Sequence, residues 1–229
     1  MTIGEYLPFW GRLSTVQQQL LREQVTQRTF PRGALLHGGA VDCIGLLLPV
    51  SGQLRAYILS EEGKEITLYR LFAGDMCLFS ASCIMRNIQF DVMISAQEDT
   101  VALHIPAEIY HGLMEESAAV ANYTSELMAA RFSEVMWLLD QVLNKKLDSR
   151  LAAFLLEESR RSGATLTITQ EQIAHHLGSV REVVTRMLHY FQAEKLVRLN
   201  RGSLVLLDAA SLAQIAGASL RDAACQTQT

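Results

Sequence analysis

The spacing of apolar positions changes character along the chain and divides it into three stretches. Val16, Leu20, Leu21 and Val25 recur at helical spacing behind Leu13-Ser14-Thr15, which supplies a cap, and Pro31-Arg32-Gly33 breaks the pattern. This predicts one helix in the first 30 residues. From Ala34 to Pro106 the texture is short apolar or alternating runs, with glycines at 33, 39, 52, 63 and 74. Strands punctuated about every ten residues mark an antiparallel barrel or sandwich. Gln53–Leu59 and Glu65–Leu71, flanking a turn with Gly63, read as a hairpin, and Asp91–Ile105 as two strands around Gln97-Glu98-Asp99.

Helical spacing returns after Pro106. Ala107–Glu115 reads as a short helix, and Ala118–Asn144 as a long one without Pro or Gly. The long helix is apolar on two sides. One side is expected to pack its own domain and the other a second subunit, through Leu127, Phe132, Val135, Leu139 and Val142. Complete burial inside the monomer is the alternative, disfavoured because the preceding β-domain offers one face only. Lys145–Asp148 reads as a hinge, with Asp148 capping a helix over Ser149–Ser159. Thr165–Ile168 is a short strand. Leu196–Leu199 and Ser203–Leu207 form a hairpin around Asn200-Arg201-Gly202, and Ala209–Leu220 is a last helix or loose segment.

Between these strands lies Thr169–Tyr190, which reads as two short helices with a tight turn at Gly178. The second places Val180, Val184, Met187, Leu188 and Phe191 on one stripe. Its other face carries Arg181, Glu182, Thr185 and Arg186. Guanidiniums and carboxylates are the groups that read guanine and cytosine edges in the DNA major groove. Ser179-x-x-Glu182 also fits a capping box, in which Glu182 only ties back to the helix start. With a wing following, base reading is the favoured role. Thr169-x-x-Gln172 reads as a cap alone, and His175 and His176 as a solvated pair. Ser179, Gln170 and Arg201 are candidate phosphate contacts.

Charge changes the picture only when divided. The whole chain is at −4, but residues 145–229 carry 11 Lys and Arg against 8 Asp and Glu, net +3, leaving −7 for residues 1–144. An acidic sensor or assembly region joined to a mildly basic DNA-contacting one fits. Four cysteines, no secretory signal and no apolar run of about 18 residues predict a reduced, cytoplasmic protein without a membrane partner.

The order of elements and the residues in them resemble the family of the cyclic-AMP receptor protein and the fumarate–nitrate reductase regulator, the CRP/FNR transcription factors. The likeness covers about residues 7–208. It is strongest over Ile168–Asp208, and in the glycine turns Pro31-Arg32-Gly33, His37-Gly38-Gly39, Val50-Ser51-Gly52, Glu61–Glu65 and Gly74-Asp75. The resemblance implies an α+β chain in three parts. These are an N-terminal antiparallel β-roll sensor domain of the cyclic-nucleotide-binding, jelly-roll type (1–117), a dimerisation helix and hinge (118–147), and a C-terminal winged helix-turn-helix (148–229). The family's Arg-Glu-x-x-x-Arg falls on Arg181, Glu182 and Arg186. Arg186 would bond a guanine, Glu182 a cytosine amino group, and Arg181 a guanine or a phosphate. Val180 departs from the family's Ser or Thr cap.

The sensor departs further. Cyclic-nucleotide-binding members hold the phosphate with a cassette that includes an Arg-Ser pair. Here the segment is GDMCLFSASCIMRNIQFDVMISA, with Phe90-Asp91 at the matching positions and Arg86 the nearest cation. Asp91 would repel a phosphate, so cyclic AMP is not expected. Iron–sulfur members place most cysteines before the barrel, and residues 1–42 have none. Asp75, Met76, Cys77, Cys83 and Arg86 are the candidate effector region. A cysteine in an apolar run is more often a small buried hydrophobe than a ligand or redox site.

The expectation is a homodimeric, sequence-specific regulator of transcription that binds double-stranded DNA and, by resemblance, RNA polymerase. An unidentified small-molecule effector in the β-roll would control it, with the cofactor unknown and no metal assigned. A regulatory module acting on a protein partner, or a thiol- or haem-based redox-sensing variant, are the alternatives. No nucleophile–base pair, phosphate loop or metal-ligand spacing points to an enzyme.

Overall fold

The computed structural model describes residues 3–38, 44–81 and 91–220. Contacts divide the chain into two compact units, one of residues 1–60 and 67–136, the other of residues 61–66 and 137–229.

In the first unit, α1 (Thr15–Gln24) starts at a Ser14 capping box, as the sequence predicts, with Gln17 bonding back to the Ser14 N–H. The helix stops there, and Thr26–Phe30 is not helical but a strand, β1, with four of its five residues exposed. It is held by pairing with one neighbouring strand rather than by burial. Strands β2 (Leu35–Gly38), β3 (Leu46–Ser51), β4 (Leu54–Leu59), β5 (Glu65–Leu71), β6 (Met93–Ala96) and β7 (Thr100–Ile105) come next along the chain. They form two sheets, in the orders β1-β7-β3 and β2-β6-β4-β5. In the first sheet Thr26 pairs with His104 and Leu46 with Ile105, both antiparallel. Pro49 lies on the edge strand β3, where its missing N–H is tolerated, and the register shifts beside it. Beneath this sheet, α2 (Ala107–Glu116) and the first turns of α3 (Ala118–Asn144) pack against Leu7, Phe9, Leu21, Leu46, Leu48 and Met76.

Leu127 belongs to this core. Its assignment to a subunit interface is corrected: the side chain is buried in its own protomer with Tyr110, Leu113 and Val120. The outward stripe of α3 is instead Met128, Phe132, Met136, Leu139, Val142 and Leu143, all exposed, with Val135 half-buried beside it. Steps of three and four keep these six on one face of a helix.

Tyr110 makes a buried hydrogen bond with Thr124 at 2.7 Å, and burial pushes its phenol up to about 12. A raised phenol pKa stabilises the fold fully below the unfolded value, about 10. That contribution is lost as pH climbs from there toward the folded value. Urea midpoints should therefore fall between pH 9 and pH 11.5. Tyr110→Phe should make the fall shallower without abolishing it, because burial raises Tyr69 and Tyr123 in the same direction.

The second unit contains the remaining turns of α3. It continues with α4 (Leu147–Ser162), β8 (Thr165–Leu166), α5 (Gln170–Leu177), α6 (Arg181–Ala193), β9 (Val197–Asn200), β10 (Ser203–Leu206) and α7 (Ala209–Ala216). α4 is longer than Ser149–Ser159 at both ends. Its N-cap is Lys146, with no side-chain cap bond, and Asp148 instead accepts from its neighbour Ser149 N–H inside the first turn. The core is built on Leu151–Leu156 of α4, Ile173 and Leu177 of α5, Val184, Leu188 and Phe191 of α6, and Leu204 and Leu206 of the small sheet β8-β10-β9.

Candidate nucleic-acid interface

Two helices and a hairpin build the polar surface of the second unit. α5 opens at Thr169, whose hydroxyl accepts from Gln172 N–H at 3.2 Å while Gln172 accepts from Thr169 N–H at 2.9 Å. This is the capping box read from the sequence. α5 closes at Gly178, where φ 59° and ψ 41° place the backbone in the left-handed region. A Cβ there would be strained, which is why glycine fits this turn.

The sequence offers two starts for α6, a Ser179 capping box and Val180 at the family's cap position, and the chain takes the second. Ser179 is consumed by the turn, its N–H bonding the Ala174 carbonyl at 2.9 Å. Val180, not Ser179, is the N-cap of α6, extended and without a side-chain cap bond. Placing Val180 on the buried stripe is corrected: it is 50% exposed. The Ser179-x-x-Glu182 box is not made, because Glu182 is the second residue of the helix rather than the third. Its carboxylate stays exposed in the first turn, where the helix dipole favours a negative charge.

Val184, Leu188 and Phe191 anchor the inner face of α6. Arg181, Glu182 and Arg186 lie exposed on the outer one, with no side-chain hydrogen bond or ion pair among the described residues. Thr185 is half-buried. Its hydroxyl lies 2.6 Å from Gln170 Oε1 and 2.8 Å from the Arg181 carbonyl. Thr185 and Gln170 thus brace the two helices together, and Gln170 keeps its amide N–H groups to donate. Arg201 and Gly202 form the exposed tip of the β9–β10 hairpin, with Asn200 opposite Ser203. A cleft of about 410 Å³ runs between helices and wing, lined by Gln170, Arg181, Asn200, Arg201 and Ser203 among others. The structure therefore brings together Gln170, Arg181 and Arg201 around one cleft, while Glu182 and Arg186 stand on the exposed face of α6. Ser179 sits half-buried in the turn. The histidines are not a solvated pair: both are half-buried, and His176 stacks on Phe154 with ring centres 5.2 Å apart.

The candidate effector residues of the first unit divide. Cys83 and Arg86 lie outside the described residues. Asp75 closes a turn, accepting from Phe72 N–H at 2.8 Å. Met76 and Cys77 are sealed in the domain, 1% and 0% exposed, and the Cys77 N–H bonds the Leu47 carbonyl at 2.8 Å. Burial also pushes the Cys77 thiol up, so it is held protonated and is a poor nucleophile or metal ligand. Sequence reasoning missed Arg131. This guanidinium of α3 is buried, 2.9 Å from Glu134, 3.8 Å from Asp75 and over the ring of Tyr69 at 4.6 Å. The one signal for it was a lone arginine on an apolar helix.

A winged helix-turn-helix behind an antiparallel β-domain and a long helix defines a DNA-binding regulator of transcription. Residues 149–215 match the Crp-like helix-turn-helix domain. The chain is 29% identical over 210 residues to the cyclic AMP receptor protein of Thermus thermophilus, covering 91% of this chain and 96% of that protein. It is 27% identical over 208 residues to the fumarate and nitrate reduction regulatory protein of Vibrio cholerae, covering 86% and 82%. The solved structure of a CRP/FNR-family regulator from Eubacterium rectale superposes with a TM-score of 0.89 at 57% identity, covering 93% of this chain and 99% of that one. The chain belongs to the CRP/FNR family: it is a transcription regulator, not an enzyme. Among the described residues no helix is long and apolar enough to cross a membrane.

Proposed function

We propose that two copies of this chain join along the outer stripe of α3 and present their α6 helices to successive major-groove faces of a pseudo-palindromic operator. Arg186 bonds guanine O6 and N7, Glu182 accepts from a cytosine amino group, and Arg181 reaches a guanine or a phosphate. Gln170, Ser179 and Arg201 hold the backbone, and Thr185 sets the angle between the two helices. The observation that carries this reading is the outer face of α6. Its three charged side chains are exposed and unpaired among the described residues, and Glu182 is released from the cap that would otherwise occupy it.

Control enters through the β-domain. A small-molecule effector there shifts the packing of α3, and α3 passes the change to α6, which sets whether the operator is bound and RNA polymerase met at the promoter. Cyclic AMP is the ligand that the name of the Thermus thermophilus relative gives for that protein. It is not the effector proposed for this chain, because the Arg-Ser pair is absent and Asp91 stands in its place. Calorimetry with cyclic AMP and cyclic GMP is expected to show no binding heat.

Selection from a pool of randomised duplexes, with footprinting of the selected sites, tests the whole reading. Two inverted TGA-like half-sites with centres about 34 Å apart, one helical turn, are expected. Protection of a single half-site by a monomer would overturn it.

A further inference from the structure

The turn between α5 and α6 is held by a side chain from a third helix. The N–H groups of Gly178 and Ser179 both go to the Ala174 carbonyl. The carbonyl of Leu177 is among the last four of α5, which have no donor within the helix. Arg150 of α4 supplies one: its Nη2 donates to the Leu177 oxygen at 2.5 Å, across 27 residues of sequence. Arg150 is half-buried and forms no ion pair among the described residues. Its electrostatic partner is the carbonyl end of α5, where the helix dipole favours a cation.

We infer that Arg150 is a positioning residue for operator recognition. The apolar core fixes α4, α5 and α6 by their buried faces, but packing of that kind has no directional grip on the turn. A hydrogen bond to Leu177 does, because rotating that peptide carries Gly178, Ser179 and Val180 with it. Arg181 begins three residues past Gly178. On the far side of the turn Val180 leaves the start of α6 without a side-chain cap, and the Gln170–Thr185 brace joins the helices one turn further on, so Arg150 is the side chain that bonds the turn itself. Arg150 therefore orients the first turn of the reading helix without touching DNA. This rests on the base-reading roles proposed above for Arg181 and Glu182.

The test uses the full chain as wild type, R150M and R150K, each selecting sites from the same randomised duplex pool. Lysine keeps the charge and one donor, so R150K should recover the wild-type motif. R150M should recover a motif flattened at the base pairs read by Arg181 and Glu182. Its affinity for the wild-type site should fall about tenfold or more, as for loss of a charged hydrogen bond, with affinity for a scrambled duplex of equal length unchanged. A purely structural role would lower both affinities together. Hydrogen exchange on the DNA-free protein gives a second readout. Amides of residues 178–184 should exchange faster in R150M and recover in R150K, with residues 151–156 unchanged. An unaltered motif and unaltered protection of 178–184 in R150M would overturn the inference alone. A wild-type selection without any motif would overturn the base-reading proposal and this one with it. Should R150M fail to fold, R150Q, which removes the charge and shortens the side chain, replaces it in both measurements.

Discussion

Arg186→Ala should weaken binding to the selected operator by about 100-fold or more, and leave binding to unrelated DNA within a few-fold. A bidentate arginine–guanine pair is worth about 1–3 kcal/mol of discrimination, and a dimer makes it once per half-site. Arg186 is exposed on the outer face of α6 and outside the core cluster, so the variant should unfold at the wild-type temperature. Arg201→Ala, at the tip of the wing, is the useful contrast. A phosphate contact carries no sequence information, so its loss should weaken specific and non-specific binding alike. It should also flatten the dependence of affinity on salt by about one unit of slope per contact. Fluorescence anisotropy on specific and scrambled duplexes across a salt series separates the two. An Arg186→Ala protein that loses affinity for both duplexes equally would sink the base-reading role.

A charge in the middle of the outer α3 stripe should have an effect of similar size by another route. Phe132 is 68% exposed and Leu143 70% in the single protomer. Apolar side chains exposed to that degree along one helical face are what a partner helix covers. Phe132→Asp would place two carboxylates against each other in the joined pair, so light scattering should show a monomer where the wild type shows a dimer. Operator affinity should fall by orders of magnitude, because one half-site then has to suffice. The protomer itself should fold as before, since Phe132 lies outside its core. Leu127→Asp, on the same helix, should instead unfold the first unit, since Leu127 is buried there. A dimeric Phe132→Asp protein at micromolar concentration would remove this face from consideration as the interface.

Long periodic segments were legible from the sequence. The bounds of α3 and β5 match the readings at 118–144 and 65–71, and the hairpin and the wing fell where glycine turns placed them. β1 was not legible. Thr26–Phe30 has almost no apolar alternation, and it becomes a strand only because β7, more than 70 residues on, offers its edge. Period alone also could not separate Leu127 from Phe132. Both lie on an apolar surface, and only the position of the β-domain decides which side of the helix faces home. The reading face of α6 was legible residue by residue. Val180 was legible as the cap position, but its exposure was not, because its apolar side chain also fits the period of the buried stripe. Arg131 was missed for the same kind of reason as β1: its partners Tyr69 and Asp75 come from far along the chain. His176 looked polar and outward, yet its ring has an aromatic neighbour on α4.

The division between the two compact units falls between Met136 and Trp137, in the interior of an unbroken helix, not in a linker. A continuous helix has a phase. Each residue of an α-helix rotates the remainder of the helix by about 100° and advances it by about 1.5 Å. One alanine inserted after Met136 would therefore swing the outer stripe beyond it out of line with Met128 and Phe132, whereas seven inserted residues would nearly restore the alignment. Homologous chains that tolerate length changes here should do so in steps close to whole heptads, as gears accept only whole teeth.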